Sequence, residues 1–352
     1  MENKMKVLAL NSSPRSTGQS KTELLLSHLV EGMRGAGAEV EVISLRQKRI
    51  NHCSGCFTCW TKTPGVCIHK DEMALELFPK WLNSDMVVYA SPLYHFLVNA
   101  RMKTFIERTL PAFMPFLEPA GDRTTHPVRH QLPNVVVLSV AGFPEDSVFD
   151  ALSFWAKTVF GKGLLAELYR PAAESLVNPT VKDDVLNAFE QAGKELVMQK
   201  AVSTETMQRI KQPVADAAQV RALANSFWQT MITEGLSPEE ADTKGIVPRP
   251  NSLEAMMYML SLGFNPKKAV GKKGVLQFRF TGEVPGDLYL VIDEKGCTPH
   301  IGRAEKADCT VDSPFEVWAD IIQGKADGAQ MLMTGKYTVQ GNFSFLMIFG
   351  KK

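Results

Sequence analysis

A chain of 352 residues that is 45% hydrophobic and 22% charged, with a formal net charge of +1, reads as a globular protein of two domains. Its 39 Lys and Arg balance 38 Asp and Glu along the whole length, so there is no basic stripe of the kind a nucleic-acid partner requires. The apolar run at 7–10 is too short for a secretion signal or a membrane span, which predicts a cytoplasmic chain with reduced thiols.

In chain order, KVLAL at 6–10 predicts a strand, and Leu25, Leu26, Leu29 and Met33 recur at helical spacing until Gly35 and Gly37 stop them. A second strand is expected at 40–45, then a helix at 73–82 with Asp71 as its N-cap. DMVVYAS at 85–91 is a continuous apolar strand, 99–110 a helix, and NVVVLSVAG at 134–142 a further strand. A helix at 149–160 and a strand at 165–168 follow, and Val185, Leu186, Phe189, Leu196 and Val197 mark a long helix. Five strands separated by helices predict an α/β fold, a doubly wound five-stranded parallel sheet buried on both faces. Ligands of such sheets bind beyond the carboxyl ends of the strands, which directs attention to the loops after strands one, three and four.

The first of these loops, NSSPRSTGQSKT at 11–22, combines hydroxyls, one arginine, one glycine and a helix start, all able to converge on one anion. Neither a Walker loop nor a Gly-x-Gly-x-x-Gly fingerprint follows the strand, so a terminal phosphate monoester suits it better than a triphosphate. On the loop alone, an ordinary polar N-cap segment is the alternative. The loop SPLYHF at 91–96 follows a buried strand; Pro92 removes one donor and leaves Leu93, Tyr94 and His95 to meet a flat heterocycle. AGFPE at 141–145 adds Gly142 for close approach and Phe143 as an apolar wall.

Taken together, SSPR-x-x-G, SPLY and the KTFIER segment at 103–108 resemble the flavodoxin-like NAD(P)H-dependent FMN reductases over roughly residues 5–200. The resemblance implies FMN, with its phosphate at Ser13, Arg15, Gln19, Ser20 and Thr22 and its ring flanked by Pro92, Leu93, Tyr94, His95 and Gly142. It also implies NAD(P)H as electron donor, a small or hydrophobic acceptor such as a quinone or flavin, and a homo-oligomer, expected to be a dimer. The flavin carries the chemistry, so the protein supplies orientation and a hydrogen bond near the reactive ring nitrogen, with a backbone amide in 93–95 as donor. Tyr94 and His95 are the catalytic candidates, with a core or capping role as the alternative. Lys103 and Arg108 are expected on the helix surface or at a subunit contact.

Four of the six cysteines lie close together as Cys53-x2-Cys56-x2-Cys59-x7-Cys67. This spacing is similar to the motif of iron-sulfur flavoproteins, in which four thiolates hold a 4Fe-4S cluster. Plain FMN reductases resemble it too, and the WTKTPG insert at 60–65 favours that branch. The expectation is therefore no metal and reduced thiols packing a loop near the flavin. A cluster on Cys53, Cys56, Cys59 and Cys67 is the alternative. Cys297 and Cys309 are expected in the core, and His126 with His130, lacking companions, does not suggest a metal site.

Beyond Lys200 a helical stretch at 207–235 breaks at Pro213, and SPEEADTKGIVPRP at 237–250 is polar and proline-rich. The expected division is 1–204, a connector at 205–249, and 250–352. The last part predicts a helix at 253–262, strands at 275–281 and 288–293, a helix at 314–323, and a return to strand across 324–349. With GK at 324–325 and MTGKYTVQG at 333–341 it resembles the sterol carrier protein type 2 family, which implies an α+β fold enclosing an apolar tunnel for lipids or other hydrophobic molecules. Met256, Met257, Met259, Met331, Met333 and Met347 are candidate lining residues, with core filling as the alternative. Two functions stand side by side: an FMN oxidoreductase with an appended apolar-ligand domain, and an electron carrier of the iron-sulfur flavoprotein type with a lipid-binding module.

Overall fold

In the computed structural model, which describes residues 4–349 except Thr17, Asp122, Val177, Asn178, Glu294 and Lys295, the apolar run after Lys6 becomes β1 (Lys6–Asn11), buried from Val7 onward. The chain divides into two compact units, Met1–Val214 and Ala215–Lys352.

The first unit continues through α1 (Lys21–Gly35), β2 (Glu39–Ser44), a π-helical turn at Met73–Leu77 and α2 (Phe78–Leu82). After β3 (Met86–Tyr94) and the short β4 (Leu97–Val98) come α3 (Ala100–Glu107), a small hairpin of β5 (Glu118–Ala120) and β6 (Arg123–Thr125), and β7 (Asn134–Val140). It closes with α4 (Asp150–Phe160), β8 (Leu164–Arg170), α5 (Pro179–Gln199) and α6 (Thr204–Lys211). The main sheet runs β2-β1-β3-β7-β8 with every neighbour parallel, so the predicted doubly wound sheet is borne out. The order reverses between β1 and β3, and the crevice at their carboxyl ends is the switch point.

Both faces of the sheet are covered, which is why β3 and β7 read as unbroken apolar runs. On one face Leu25, Leu29 and Met33 of α1 pack with Phe189 and Leu196 of α5; on the other Met73, Trp81, Met102 and Phe105 pack with Leu152. The α1–α5 crossing needs glycine on both sides: a Cβ at Gly32 would stand 1.8 Å from the Glu190 carbonyl oxygen, and one at Gly193 2.1 Å from that of Leu29.

The second unit holds α7 (Ala217–Glu234), α8 (Pro238–Lys244) and α9 (Leu253–Leu262), then β9 (Gly274–Thr281), β10 (Gly286–Ile292), β11 (Cys297–Ile301) and β12 (Cys309–Pro314). It ends in α10 (Phe315–Gln323), α11 (Gly328–Met333), β13 (Thr338–Gly341) and a 3-10 turn at Phe343–Ile348. Its sheet runs β11-β10-β9-β12-β13, with β9 and β12 parallel and the other pairs antiparallel. The expected return to strand across 324–349 is corrected to a helix, a four-residue strand and a 3-10 turn. Gly324 ends α10 at a φ of 72°, and the Asp327 side chain caps a new helix by accepting the Gln330 N–H at 2.8 Å. Met256 and Met257 are buried and Met259 and Met331 half-buried, whereas Met333 and Met347 are 86% and 57% exposed and face solvent. Among the described residues no helix is long and apolar enough to cross a membrane.

Candidate functional site

Three loops meet at the carboxyl edge of the parallel sheet, and Asn99 ties two of them. Its carboxamide donates to the Ser12 carbonyl at 2.7 Å, its side-chain oxygen caps α3 by accepting the Met102 N–H at 3.1 Å, and its own N–H donates to Ser91 Oγ at 3.0 Å. Ser12 in turn donates its N–H to the Ala90 carbonyl at 2.9 Å, so the first loop is pinned to the end of β3. The third loop is fixed from β8: the Ala172 N–H donates to the Phe143 carbonyl at 2.7 Å and the Ala173 N–H to that of Ala141 at 2.9 Å.

Within the first loop Ser13, Ser20 and Thr22 are buried, Gln19 is half-buried and Arg15 exposed. The Ser13 N–H donates to Asn11 Oδ1 at 3.0 Å, Ser13 Oγ accepts the Arg15 N–H at 3.3 Å, and Ser20 Oγ caps α1 by accepting the Glu23 N–H at 3.1 Å. Ser16 Oγ donates to Gln19 Oε1 at 2.8 Å. The Arg15 guanidinium forms an ion pair with Glu174, and Arg46 donates to the Arg15 carbonyl. Arg46, from the segment after β2, is a basic residue at this loop that sequence reasoning passed over; its only signal was a position just after the second strand.

The second loop is a two-residue β-hairpin. Leu93 pairs with Val98 and Tyr94 with Leu97, leaving His95 and Phe96 as the turn, at φ values of 48° and 61°. Positive φ at both central positions is the type I′ geometry, which ordinarily selects Asn-Gly; a histidine and a phenylalanine held there carry strain of order 1 kcal/mol each. The turn thrusts Tyr94, His95 and Phe96 into solvent while Pro92 stays buried and Leu93 half-buried. Phe96 stacks on Phe143 of the third loop with ring centroids 6.2 Å apart at 17°. Gly142 beside it is exposed, and a Cβ there would meet nothing within 4 Å.

The cysteine loop lies against the other end of α3. His52 Nδ1 stands 3.1 Å from Thr104 Oγ1, and Trp60 donates to the Leu110 carbonyl at 3.4 Å. Trp60 packs between Phe57 and His126, with centroids 5.1 and 4.9 Å away. The Gly65 N–H donates back to the Cys59 carbonyl at 2.9 Å, so the insert closes on itself and returns Cys67 beside the first three thiols. Cys53, Cys56, Cys59 and Cys67 all line one small concavity of about 20 Å³, together with His69 and Arg108. Burial and the neighbouring Cys67 push the Cys59 thiol up, while hydrogen bonds from Thr58 and Ser54 lower that of Cys56.

Arg108 is not a surface residue. It is 2% exposed, and its guanidinium grips Asp71 at two points, 2.8 and 2.9 Å, while donating to the Asn51 carbonyl at 2.6 Å. The reason for burial is this partner: Asp71 also accepts the Ala74 N–H at 3.1 Å, fulfilling its expected capping role, and the Asn51 N–H at 2.8 Å. Burial opposes the Asp71 charge, yet Arg108 and the two amides outweigh it and hold the carboxyl at about 2. Lys103, by contrast, is exposed as expected.

Residues 5–132 match the family model of NADPH-dependent FMN reductase, and residues 265–351 that of the SCP-2 sterol transfer family. Each match covers a separate part of the chain. The reductase part is similar to an iron-sulfur flavoprotein of Archaeoglobus fulgidus, 40% identical over 107 residues that are 30% of this chain and 46% of the relative. An iron-sulfur flavoprotein of Methanocaldococcus jannaschii is 35% identical over 104 residues, 30% of this chain and 50% of the relative. The chain thus spans about half the length of the curated relatives it matches. Among solved structures, the NAD(P)H:quinone oxidoreductase from Methanothermobacter marburgensis superposes with a TM-score of 0.43 at 18% identity, over 55% of this chain and 98% of that one. The FMN-dependent NADH-azoreductase from Bacillus anthracis, solved in complex with FMN, gives 0.42 at 15%, over 55% and 99%.

In the first unit the donor set at the first loop fits a phosphate monoester, because hydroxyls, amides and the α1 N-terminus share one rim with two guanidinium groups. The cysteine concavity has its own signature of fit. Arg108 Nε and His69 Nε2 are buried there without hydrogen-bond partners, and an electron-rich occupant bound by the thiols would supply the missing acceptor for Arg108. A single tetrahedral ion fits less well: its four sulfurs would stand about 3.8 Å apart at the usual metal–sulfur length, and no three of these thiols have sulfurs all within 4.8 Å. Asn99 and Arg108 were the two organising residues that sequence reasoning did not single out as part of a site.

Proposed function

We propose that the chain is an FMN-dependent oxidoreductase that takes electrons from NAD(P)H and passes them to a small or hydrophobic acceptor such as a quinone or flavin. The observation that carries this reading is the Asn99 bridge, which sets a phosphate-type loop and a strained aromatic hairpin tip on one edge of a parallel sheet. FMN, when bound, supplies the hydride and single-electron chemistry. Ser13, Ser20, Thr22, Gln19 and Arg15 hold its phosphate in this reading, and Pro92, Leu93, Tyr94, His95 and Gly142 flank its ring. Tyr94 and His95 are the candidate donors to substrate in this reading, and both are exposed. The SCP-2 domain receives an apolar ligand, and the exposed Phe116, Leu117 and Phe154 supply apolar surface that a homodimer would bury. All six cysteines are free, in keeping with a reducing cytoplasm. The test is steady-state oxidation of NADH and NADPH with quinone, flavin and nitro-aromatic acceptors; protein that neither retains FMN nor turns over would overturn it.

A second reading, an electron carrier with a 4Fe-4S cluster on Cys53, Cys56, Cys59 and Cys67, is favoured by one specific observation. The four thiols share a concavity with the unpartnered Arg108 Nε–H, and the folded-back insert keeps Cys67 among them. The names of the two archaeal relatives agree with it. Eight residues of α3 separate Asn99 from Arg108, so the two sites lie at opposite ends of one helix about 12 Å long. Iron and labile sulfide counts on anaerobically purified protein test this reading directly.

A further inference from the structure

Arg108 follows the last turn of α3, and its guanidinium is immobilised. Nη1 donates to Asp71 Oδ2 at 2.8 Å and the Asn51 carbonyl at 2.6 Å, and Nη2 to Asp71 Oδ1 at 2.9 Å. The planar fork cannot turn without breaking all three hydrogen bonds. Of the two remaining N–H groups, Nε–H is buried and meets no acceptor at hydrogen-bonding distance; it belongs to a residue in the wall shared with the four thiols, near enough to Cys67 for the two charges to interact. An unsatisfied buried donor on a charged group is costly, and a purely structural Arg108–Asp71 pair would have no use for it.

The chemistry of an acceptor at that position is specific. A thiolate-bound iron-sulfur centre gains one negative charge on reduction, and hydrogen bonds to its sulfurs together with nearby fixed charge set how readily it does so. A guanidinium held in place favours the reduced form over the oxidised one. We propose that Arg108, locked by Asp71, donates a hydrogen bond from Nε to the centre held by Cys53, Cys56, Cys59 and Cys67 and raises its reduction potential. This role deepens the second reading above and rests on it. Arg108 acts on the potential and is not a ligand; Asp71 positions Arg108.

The experiment uses the full-length chain, reconstituted without oxygen with ferrous iron and sulfide, and reads iron, labile sulfide and the midpoint potential in an optically monitored redox titration. Arg108→Gln, which loses charge and fork, is expected to keep its iron and to fall in potential by the equivalent of a tenfold shift in the oxidised-to-reduced ratio, about 59 mV for one electron. Arg108→Lys, which keeps the charge but loses Nε, is expected to fall by less. Wild-type protein that takes up no iron or sulfide overturns the second reading and this inference with it. Loaded variants whose potential equals that of wild type overturn this inference alone. Where Arg108→Gln sheds its iron, Arg108→Lys decides by the same measurement. Loss of iron from both, with circular dichroism unchanged, overturns the tuning role in favour of one in assembly.

Discussion

The carboxamide of Asn99 spans two loops that lie 87 residues apart in sequence, donating to the Ser12 carbonyl at 2.7 Å while capping α3 through Met102. Asn99→Ala removes both interactions, and a lost cap of about 1 kcal/mol plus a buried carbonyl without its donor predict a destabilisation of roughly 2–4 kcal/mol. Asn99→Asp keeps the cap and loses the donor, so it is expected to fall between Ala and wild type. Urea unfolding followed by far-UV dichroism gives the order; equal loss in both variants would show that the Ser12 bridge contributes nothing.

The phosphate reading predicts that Arg15→Ala combined with Ser13→Ala weakens FMN retention at least tenfold, since one charge-assisted contact contributes roughly 1.5–3 kcal/mol. Arg15 is paired with Glu174 in the structure. Glu174→Gln, which frees the guanidinium, is therefore expected to tighten FMN slightly. Equilibrium dialysis with FMN measures both directions, and unchanged affinity in the double variant would remove the assignment.

How much of this was legible in the sequence depends on the distance over which each residue finds its partner. The parallel strands announced themselves because a strand covered on both faces is apolar throughout, as Met86–Tyr94 shows. Strands β11 and β12, reading CTPHI and CTVDSP, mix proline, histidine and aspartate into half-exposed positions and carry no such signal. Asn99 is visible as a helix start, but nothing local points to Ser12. Arg108 sits at a helix end where a basic residue ordinarily meets solvent; only the return of the cysteine loop and Asp71 onto α3 buries it. The insert at 60–65 reads as a departure favouring the plain FMN-reductase branch, and its closure onto Cys59 is a backbone event that residue types alone do not disclose.

Asp71 makes stability depend on acid. Its carboxyl, 3.8 when unperturbed, is held at about 2 in the folded chain. A depressed folded value means that the stabilisation is fully present above the unfolded value and is lost as pH falls through about 2. The shift corresponds to roughly 2 kcal/mol. Asp71→Asn is expected to flatten the pH dependence of the urea midpoint between pH 4 and 2 and, by leaving Arg108 buried and unpaired, to cost on the order of 3–5 kcal/mol at neutral pH. A variant with the wild-type acid slope would show that another carboxylate is responsible.

The turn at His95 and Phe96 predicts a trade between stability and function. Replacing the pair by Asn and Gly suits positive φ at both positions and relieves strain of about 1–2 kcal/mol in total. The same change deletes the ring that stacks on Phe143. The double variant is expected to melt at a higher temperature while retaining FMN less well or turning over NAD(P)H more slowly. A variant as active as wild type would mean that the strained tip serves no ligand.

The second unit is expected to fold alone when expressed from Ala215, and less stably from residue 250. The segment before α9 is docked on α7: the Arg249 N–H donates to Thr230 Oγ1 at 2.8 Å and Ser226 Oγ to Asn251 Oδ1 at 2.7 Å. Cutting at 250 removes α7 and exposes the face of α9 that packs on it. The longer fragment contains Trp228, 52% exposed, and Trp318, buried in the core against Phe278 with centroids 5.0 Å apart. Trp228→Phe leaves Trp318 as the sole reporter, with an indole N–H that has no partner in the core. A ligand entering that core must alter the surroundings of Trp318, so titration with long-chain acyl compounds is expected to shift or quench its emission and raise the melting temperature. Emission and melting temperature unmoved across acyl chains, sterols and quinones would show that the domain is structural and holds no apolar ligand.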